Sequence, residues 1–330
     1  MKIGIIGTGL IGASIGLRLK SHGEEKIIVA GFDSNKDNLN LAFKIGAISK
    51  KMKSAKELIL NSNLIIIATP ILDIKNIFIE IKRIDSSNKI NDLIITDTLS
   101  TKEKVIDWAI EILPSNVVFI GGHPMAGSTE VGPNYSDGNM FEGAKWVLTP
   151  IKNVPSAAIE SVLSLIEAMG AESMFMDAKE HDSYVAAVSH MPLFLQYALF
   201  ILVRNSNAWS ELSMLASSGF KSATRLTGTN PSLAFDINET NQENIVHWIG
   251  RYVDVLNQLK ELLQNNSSRE DFFRLIGSTN LDYLKFDEGA IGREHWGEPL
   301  TDVPDFNVFD LLMGGMLTEK LSRLDMNNKK

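Results

Sequence analysis

The first 178 residues alternate between short apolar runs and longer amphipathic ones. Residues 2–7 (KIGIIG) are almost unbroken in apolar character, the pattern of a strand covered on both faces. Helical spacing follows at about 10–21. The alternation then predicts strands at 26–32, 64–70, 93–97, 117–122 and 145–150, with a short one near 171–176. Helices fit 35–45, 71–83, 101–112 and about 155–168. Strands alternating with helices build a parallel sheet. From about 179 the alternation stops, and 179–203, 206–217, 231–239, 241–265 and 268–284 all carry helical spacing.

The run LFLQYALFILV, 193–203, is apolar nearly all round. Eleven residues with Gln196 among them are too few for a bilayer and suit a helix buried in a core or at a subunit interface. A homodimer through the helical part is therefore expected. The opening residues MKIGIIGTG already read as strand and turn, with no cationic leader. A cytoplasmic protein without a membrane partner is the expectation.

Composition narrows the chemistry. Zero cysteines exclude a thiol nucleophile and a thiolate metal site, and no metal is expected. A formal charge of −8 argues against nucleic acid, whose phosphates need clustered Lys and Arg. A small anionic substrate stays open, because it meets only the local field.

GTGLIG, Gly7-Thr8-Gly9-Leu10-Ile11-Gly12, follows the first strand and opens the first helix. This is the setting in which G-x-G-x-x-G binds a dinucleotide. Gly7 makes the turn, Gly9 admits the pyrophosphate, and Gly12 lets helix and strand pack. The helix start supplies amides and a positive dipole end. Asp33 ends the second strand, where a carboxylate accepts from the ribose hydroxyls of NAD and repels the 2′-phosphate of NADP. Ser34 and Lys36 beside it keep NADP possible. Thr69 and Pro70 end a third strand, where ligands sit in such sheets. The expected fold is α/β: a Rossmann-type dinucleotide-binding domain at 1–178, an all-helical substrate and dimerisation domain at 179–285, and an irregular tail at 286–330.

FIGGHPMAGS, 119–128, holds one of only six histidines. His123 is expected just past a strand's carboxyl end, where a neutral imidazole can take a hydroxyl proton as hydride leaves the carbon. Gly121, Gly122 and Gly127 are expected to let substrate and cofactor approach. His181, beside Asp182, is expected to cap the long helix, and His22, His247 and His295 carry no motif.

Four segments together resemble the prephenate and arogenate dehydrogenase family. HPMAGS with Glu130 is similar to its H-P-[IM]-A-G. Asp97-Thr98-Leu99-Ser100-Thr101-Lys102 is similar to D-x-x-S-x-K. Ser189-His190-Met191-Pro192 is similar to S-H-L-P, and Gly219-Phe220-Lys221-Ser222-Ala223-Thr224-Arg225 to G-F-[KR]-x-x-[ST]-R. The likeness runs from residue 1 to about 280. It implies hydride transfer from C4 of a cyclohexadienyl substrate to NAD or NADP, with loss of CO2. By this resemblance His123 is the base at the 4-hydroxyl, and Ser100 touches that hydroxyl or the nicotinamide and orients the histidine. Arg225 pairs with a substrate carboxylate. Lys221 lies one turn from it if both are helical, and His190 and Glu130 are further substrate contacts.

The chain also departs from the family pattern. Leu193 stands where some prephenate-using members have a second histidine after S-H-L-P. Ser128 and Thr129 lengthen the approach to Glu130, and Ser222 follows the lysine where Asp is frequent. These changes resemble arogenate-using members, while prephenate stays open. Nothing after 286 resembles an ACT-type regulatory domain, and no chorismate mutase domain is expected. A β-hydroxyacid-type dehydrogenase would use a lysine base instead of His123. A non-catalytic NAD-sensing module would not need His123, Ser100 and Arg225 together.

Overall fold

The computed structural model describes residues 2–21, 27–87, 90, 92–264 and 269–289. His22, His295 and nearly all of the tail expected at 286–330 lie outside the described residues. The chain's contacts fall into two compact units, Met1–Val253 and Asp254–Lys330.

The first unit is built on one eight-stranded sheet. In chain order the elements are β1 (Lys2–Ile6), α1 (Leu10–Ser21), β2 (Ile28–Phe32), α2 (Lys36–Lys44), β3 (Lys50–Lys51) and α3 (Ala55–Leu60). Next come β4 (Leu64–Ile67), α4 (Asp73–Asp85), β5 (Leu93–Asp97), α5 (Glu103–Ile112) and β6 (Val117–Pro124). The sheet closes with β7 (Lys145–Pro150), α6 (Ser156–Ala168) and β8 (Glu172–Phe175). The strand order is β3-β2-β1-β4-β5-β6-β7-β8. β1 and β4 meet at the centre, where the order reverses, and that crevice is where ligands sit in such sheets. All four residues of β4 (LIII) are buried, as its unbroken apolar run requires. Each such side chain stabilises the fold by about 1.5–3 kcal/mol. One core layer joins β4, α4 and β6 through Ile65, Phe78 and Phe119. The other joins β1, α1 and α6 through Ile5, Ile15 and Val162.

Three features differ from the expected pattern. β3 and α3 are present but too short to show a period. β7 runs antiparallel to β6, pairing His123 with Val147 and Pro124 with Trp146. That pairing extends β6 past residue 122, so His123 lies inside the strand and not in a loop beyond it. Finally, Pro70 does not stop β4, which ends three residues earlier at Ile67.

After β8 every element is helical. α7 (Ala178–Val185), a π turn at Ala186–His190 and α8 (Met191–Arg204) form one continuous run. Pro192 has no N–H to give the carbonyl four residues back, so the α-helical ladder cannot close there and the wider turn takes its place. The run of 27 residues exceeds the apolar segment 193–203 and, by length and composition alone, is enough to cross a bilayer. Its first half instead carries His181, Asp182 and His190, all buried in the unit. α9 (Trp209–Leu215) and α10 (Ser218–Ala223) follow. α11 (Pro231–Gln264) is kinked at Asn241, whose φ of −141° leaves the helical region. The expected break between 239 and 241 falls at that kink. α12 (Arg269–Asp287) belongs to the second unit.

Candidate functional site

The glycine loop joins β1 to α1 and has the shape of a phosphate cradle. Gly7 holds φ +90°, and a Cβ there would sit 2.4 Å from the Ala68 carbonyl. At Gly12 a Cβ would lie 2.0 Å from the Gly7 carbonyl. Gly9 faces open space, with nothing within 4 Å of the place a Cβ would take. The first turn of α1 carries no acidic residue, so its positive end is left for an anion. Thr8, Leu10 and Ile11 line the turn, with Thr8 and Leu10 buried.

Asp33 follows β2, and its carboxylate already has partners. Oδ2 accepts from the Thr8 amide at 2.7 Å and the Thr8 hydroxyl at 3.1 Å. Oδ1 accepts from the Asn35 amide at 2.8 Å. The residue expected to read the ribose therefore also fastens the glycine loop. Thr69 and Pro70 lie beyond β4, and the Thr69 hydroxyl donates to the Pro70 carbonyl at 3.2 Å.

His123 lies three strands from β1, about 14 Å across the sheet at ~4.8 Å per strand. It is 9% exposed. Its Nδ1 stands 2.9 Å from Nε2 of His181, and Nδ1 of His181 stands 2.7 Å from Oδ1 of Asp182. The two rings meet edge to face at 5.1 Å. Asp182 also accepts the first free amides of α5, with Oδ1 2.8 Å from the Lys102 amide and Oδ2 2.9 Å from the Glu103 amide. So the capping expected of His181 is corrected. Asp177 caps α7, and Asp182 caps a different helix, α5. Burial pushes the His123 imidazole well below its usual 6.5, and His181, Lys102 and His190 push it the same way. The ring is neutral at pH 7.

The segment between β5 and α5 is pinned from beneath. Asp97 is fully buried and accepts from the Gly122 amide at 2.9 Å, the Leu99 amide at 3.0 Å and the Lys102 ammonium. Burial lowers the Lys102 pKa against the pull of Asp97. Ser100 is half-buried in this segment. Among the described residues no hydrogen bond joins Ser100 to His123, whose Nδ1 is held by His181. The side-chain contact on the histidine that was expected of Ser100 is made by His181.

Gly121 and Gly122 make room for protein, not for ligand. A Cβ at Gly121 would lie 2.3 Å from the Thr149 hydroxyl, and one at Gly122 would lie 2.5 Å from the Asp97 carbonyl. Only Gly127 of the three faces open space.

His190 is fully buried in the π turn. Its Nδ1 lies 3.1 Å from the Asn241 amide nitrogen, which also donates to the Asp182 carbonyl at 2.8 Å. Among the described residues its Nε2 has no partner. Burial lowers its pKa to about 4. These bonds occupy Asn241 at the point where α11 leaves helical geometry.

Arg225, Lys221 and Glu130 are exposed, and no hydrogen bond or ion pair ties any of the three side chains to the histidine cluster among the described residues. α10 ends at Ala223, and Thr224 turns its hydroxyl back to the Phe220 carbonyl at 2.8 Å. Arg225 opens a separate 3₁₀ turn through Gly228, so Lys221 and Arg225 do not share one helix face as expected. That turn is held to α8 by the Leu226 amide donating to Gln196 at 2.7 Å. An open cleft of about 760 Å³ between α5, β6 and the β7–α6 loop touches none of the expected site residues.

Sequence reasoning missed His181, Asp182 and Asn241 as members of the site. An adjacent His-Asp pair in a chain with six histidines was the available signal.

The family model described as the prephenate dehydrogenase nucleotide-binding domain matches residues 15–175. The one described as its dimerization domain matches 177–278. Prephenate dehydrogenase of Bacillus subtilis (strain 168) is 30% identical over 280 residues, 84% of this chain and 74% of that protein. The crystal structure of Synechocystis arogenate dehydrogenase aligns with TM-score 0.71 at 28% identity, covering 87% of this chain and 100% of the other. Prephenate dehydrogenase from A. aeolicus, in complex with hydroxyphenyl propionate and NAD+, aligns with TM-score 0.79 at 26% identity, covering 87% and 98%.

Proposed function

Because the chain belongs to the prephenate dehydrogenase family, we propose that it oxidises and decarboxylates a cyclohexadienyl substrate, arogenate or prephenate, with NAD as hydride acceptor. The observation that carries this reading is His123, a buried neutral base at the carboxyl edge of the same sheet that holds the glycine cradle.

The residues present fit the dinucleotide. Open space at Gly9 and the unneutralised start of α1 suit a pyrophosphate, and Asp33 suits a ribose hydroxyl. Thr8, Thr69 and Pro70 complete the contacts. NAD, when bound, accepts a hydride. His123 takes the 4-hydroxyl proton while C4 loses hydride and becomes a carbonyl. The bond to the C1 carboxylate then breaks, CO2 leaves, and the bonding pair enters the ring. It ends on the C4 oxygen as phenolate, which takes up a proton. Aromatisation drives this step, so the protein mainly positions groups and moves one proton. Ser100 touches the reacting hydroxyl or the nicotinamide. Arg225 pairs with a substrate carboxylate, with Lys221, Glu130 and the free Nε2 of His190 as further substrate contacts.

Leu193, in place of a histidine, favours arogenate. We divide the chain at about 178, because the last strand ends at Phe175 and every later element is helical. We also propose a cytoplasmic homodimer through the helical segment at 179–285. Its support is the match to a dimerization-domain model and the apolar residues left open on α8 and α9: Leu202 is 73% exposed and Leu215 79%.

The test is absorbance at 340 nm with arogenate or prephenate crossed with NAD or NADP. Turnover in the arogenate–NAD pairing, above the other three, is expected. No turnover in any pairing would overturn the reading.

A further inference from the structure

We propose that His181 and Asp182 are positioning residues that hold His123 in one tautomer, with its proton on Nδ1 and the lone pair of Nε2 left for the substrate. This rests on the reaction above only for what Nε2 meets.

The direction of each bond follows from donor and acceptor capacity. Asp182 accepts from the Lys102 amide through Oδ1 and from the Glu103 amide through Oδ2, so both its oxygens act as acceptors. A carboxylate acceptor 2.7 Å from Nδ1 of His181 requires the proton on that nitrogen. In neutral His181 the remaining nitrogen, Nε2, can only accept. It lies 2.9 Å from Nδ1 of His123, which must therefore donate. Nε2 of His123 is left bare. One carboxylate thus fixes two rings in sequence.

The charges around His123 agree with this arrangement. Lys102 and Asp97 face it from the β5–α5 segment, His181 and Asp182 from α7, and His190 from the π turn. Lys102 is ion-paired with Asp97, and Asp182 stands as the acceptor at the end of the chain of rings. When His123 takes a proton on Nε2, its Nδ1–H stays bonded to His181, and the new charge is stabilised toward Asp182. The other tautomer would aim an N–H at the substrate hydroxyl and could not receive its proton. It would also set two N–H groups or two lone pairs against each other somewhere along the chain, in a place no water reaches, since His181 is 1% exposed.

His181→Gln and His181→Leu separate positioning from packing. The glutamine amide oxygen can stand where Nε2 stands and accept from His123, whereas leucine offers nothing. H181L is expected to lose about 10²-fold or more in kcat with KM changed less than about threefold. H181Q is expected to recover most of that loss. Imidazole ¹⁵N chemical shifts of the intact protein supply a readout that needs no substrate. His123 is expected to carry its proton on Nδ1 in the wild type and to show mixed tautomers in H181L. A wild-type His123 protonated on Nε2 overturns the proposal. So does an H181L enzyme with unchanged kcat, or equal losses in H181L and H181Q that track a falling Tm. A wild type that turns over neither substrate sinks the reaction reading instead, while the ¹⁵N shifts still decide the tautomer.

Discussion

His123 shows how burial sets chemistry at a single side chain. Its imidazole is held well below 6.5, chiefly by loss of water, so the base is ready at neutral pH and is lost only in acid. His123→Asn should lower kcat by about 10²–10⁴-fold and leave NAD affinity unchanged, as read by single-turnover kinetics and cofactor titration. An unchanged kcat would remove the base from this residue. The same groups make stability pH-dependent. His123 and His190 both have folded pKa values below the unfolded 6.5, and that of His190 is about 4. The unfolded chain binds their protons first. Their contribution is therefore full above about pH 6.5 and is lost as pH falls below it, for His190 toward about 4. A Tm that stays flat between pH 7 and pH 4.5 would contradict this. At this scale the sequence made His123 conspicuous, as a histidine among glycines near a strand's end. It hid the role of His181, because contacts between residues 58 positions apart leave no local pattern.

Single elements keep binding and folding requirements apart. In the turn between β1 and α1 Gly9 opens on empty space, while Gly12, in the first turn of α1, lies under a carbonyl. Gly9→Ala should weaken NAD binding at least about tenfold, roughly 1.4 kcal/mol, and leave Tm nearly unchanged. Gly12→Ala should destabilise the protein itself by about 1–3 kcal/mol or more, because the new methyl meets backbone that cannot yield. Denaturant titration beside cofactor titration separates the two, and similar losses of stability in both variants would refute the distinction. Long periodic elements such as α4 and α6 were legible from their apolar spacing. β3 is two residues long and carried no period. The reach of β6 to Pro124 depends on pairing with β7, and the break at Thr224 depends on a side chain turning back on its own backbone, so neither showed in the pattern.

Among the described residues, the helices after β8 carry much of the exposed apolar surface. Ile201, Leu202, Met214 and Leu215 are all more than half exposed. Leu202→Glu should yield a monomer in analytical ultracentrifugation where the parent sediments as a dimer at micromolar concentration. A parent that is itself monomeric would end the dimer proposal. The alternation of strands and helices made the architecture legible, yet it also suggested a clean division near residue 178, and Asp182 crosses that division. Its carboxylate, on α7, caps α5 and orders the rings on α7 and β6. The sheet-bearing segment is consequently not an exchangeable module. A chimera joined at residue 178 to the helices of a distant relative would keep every glycine proposed to hold the dinucleotide. It would still bind cofactor, yet its histidine would have no fixed partner unless the graft supplied the same two residues in the same register. Such a chimera is thus expected to lose activity while keeping its cofactor, at the very joint where the chain looks easiest to cut.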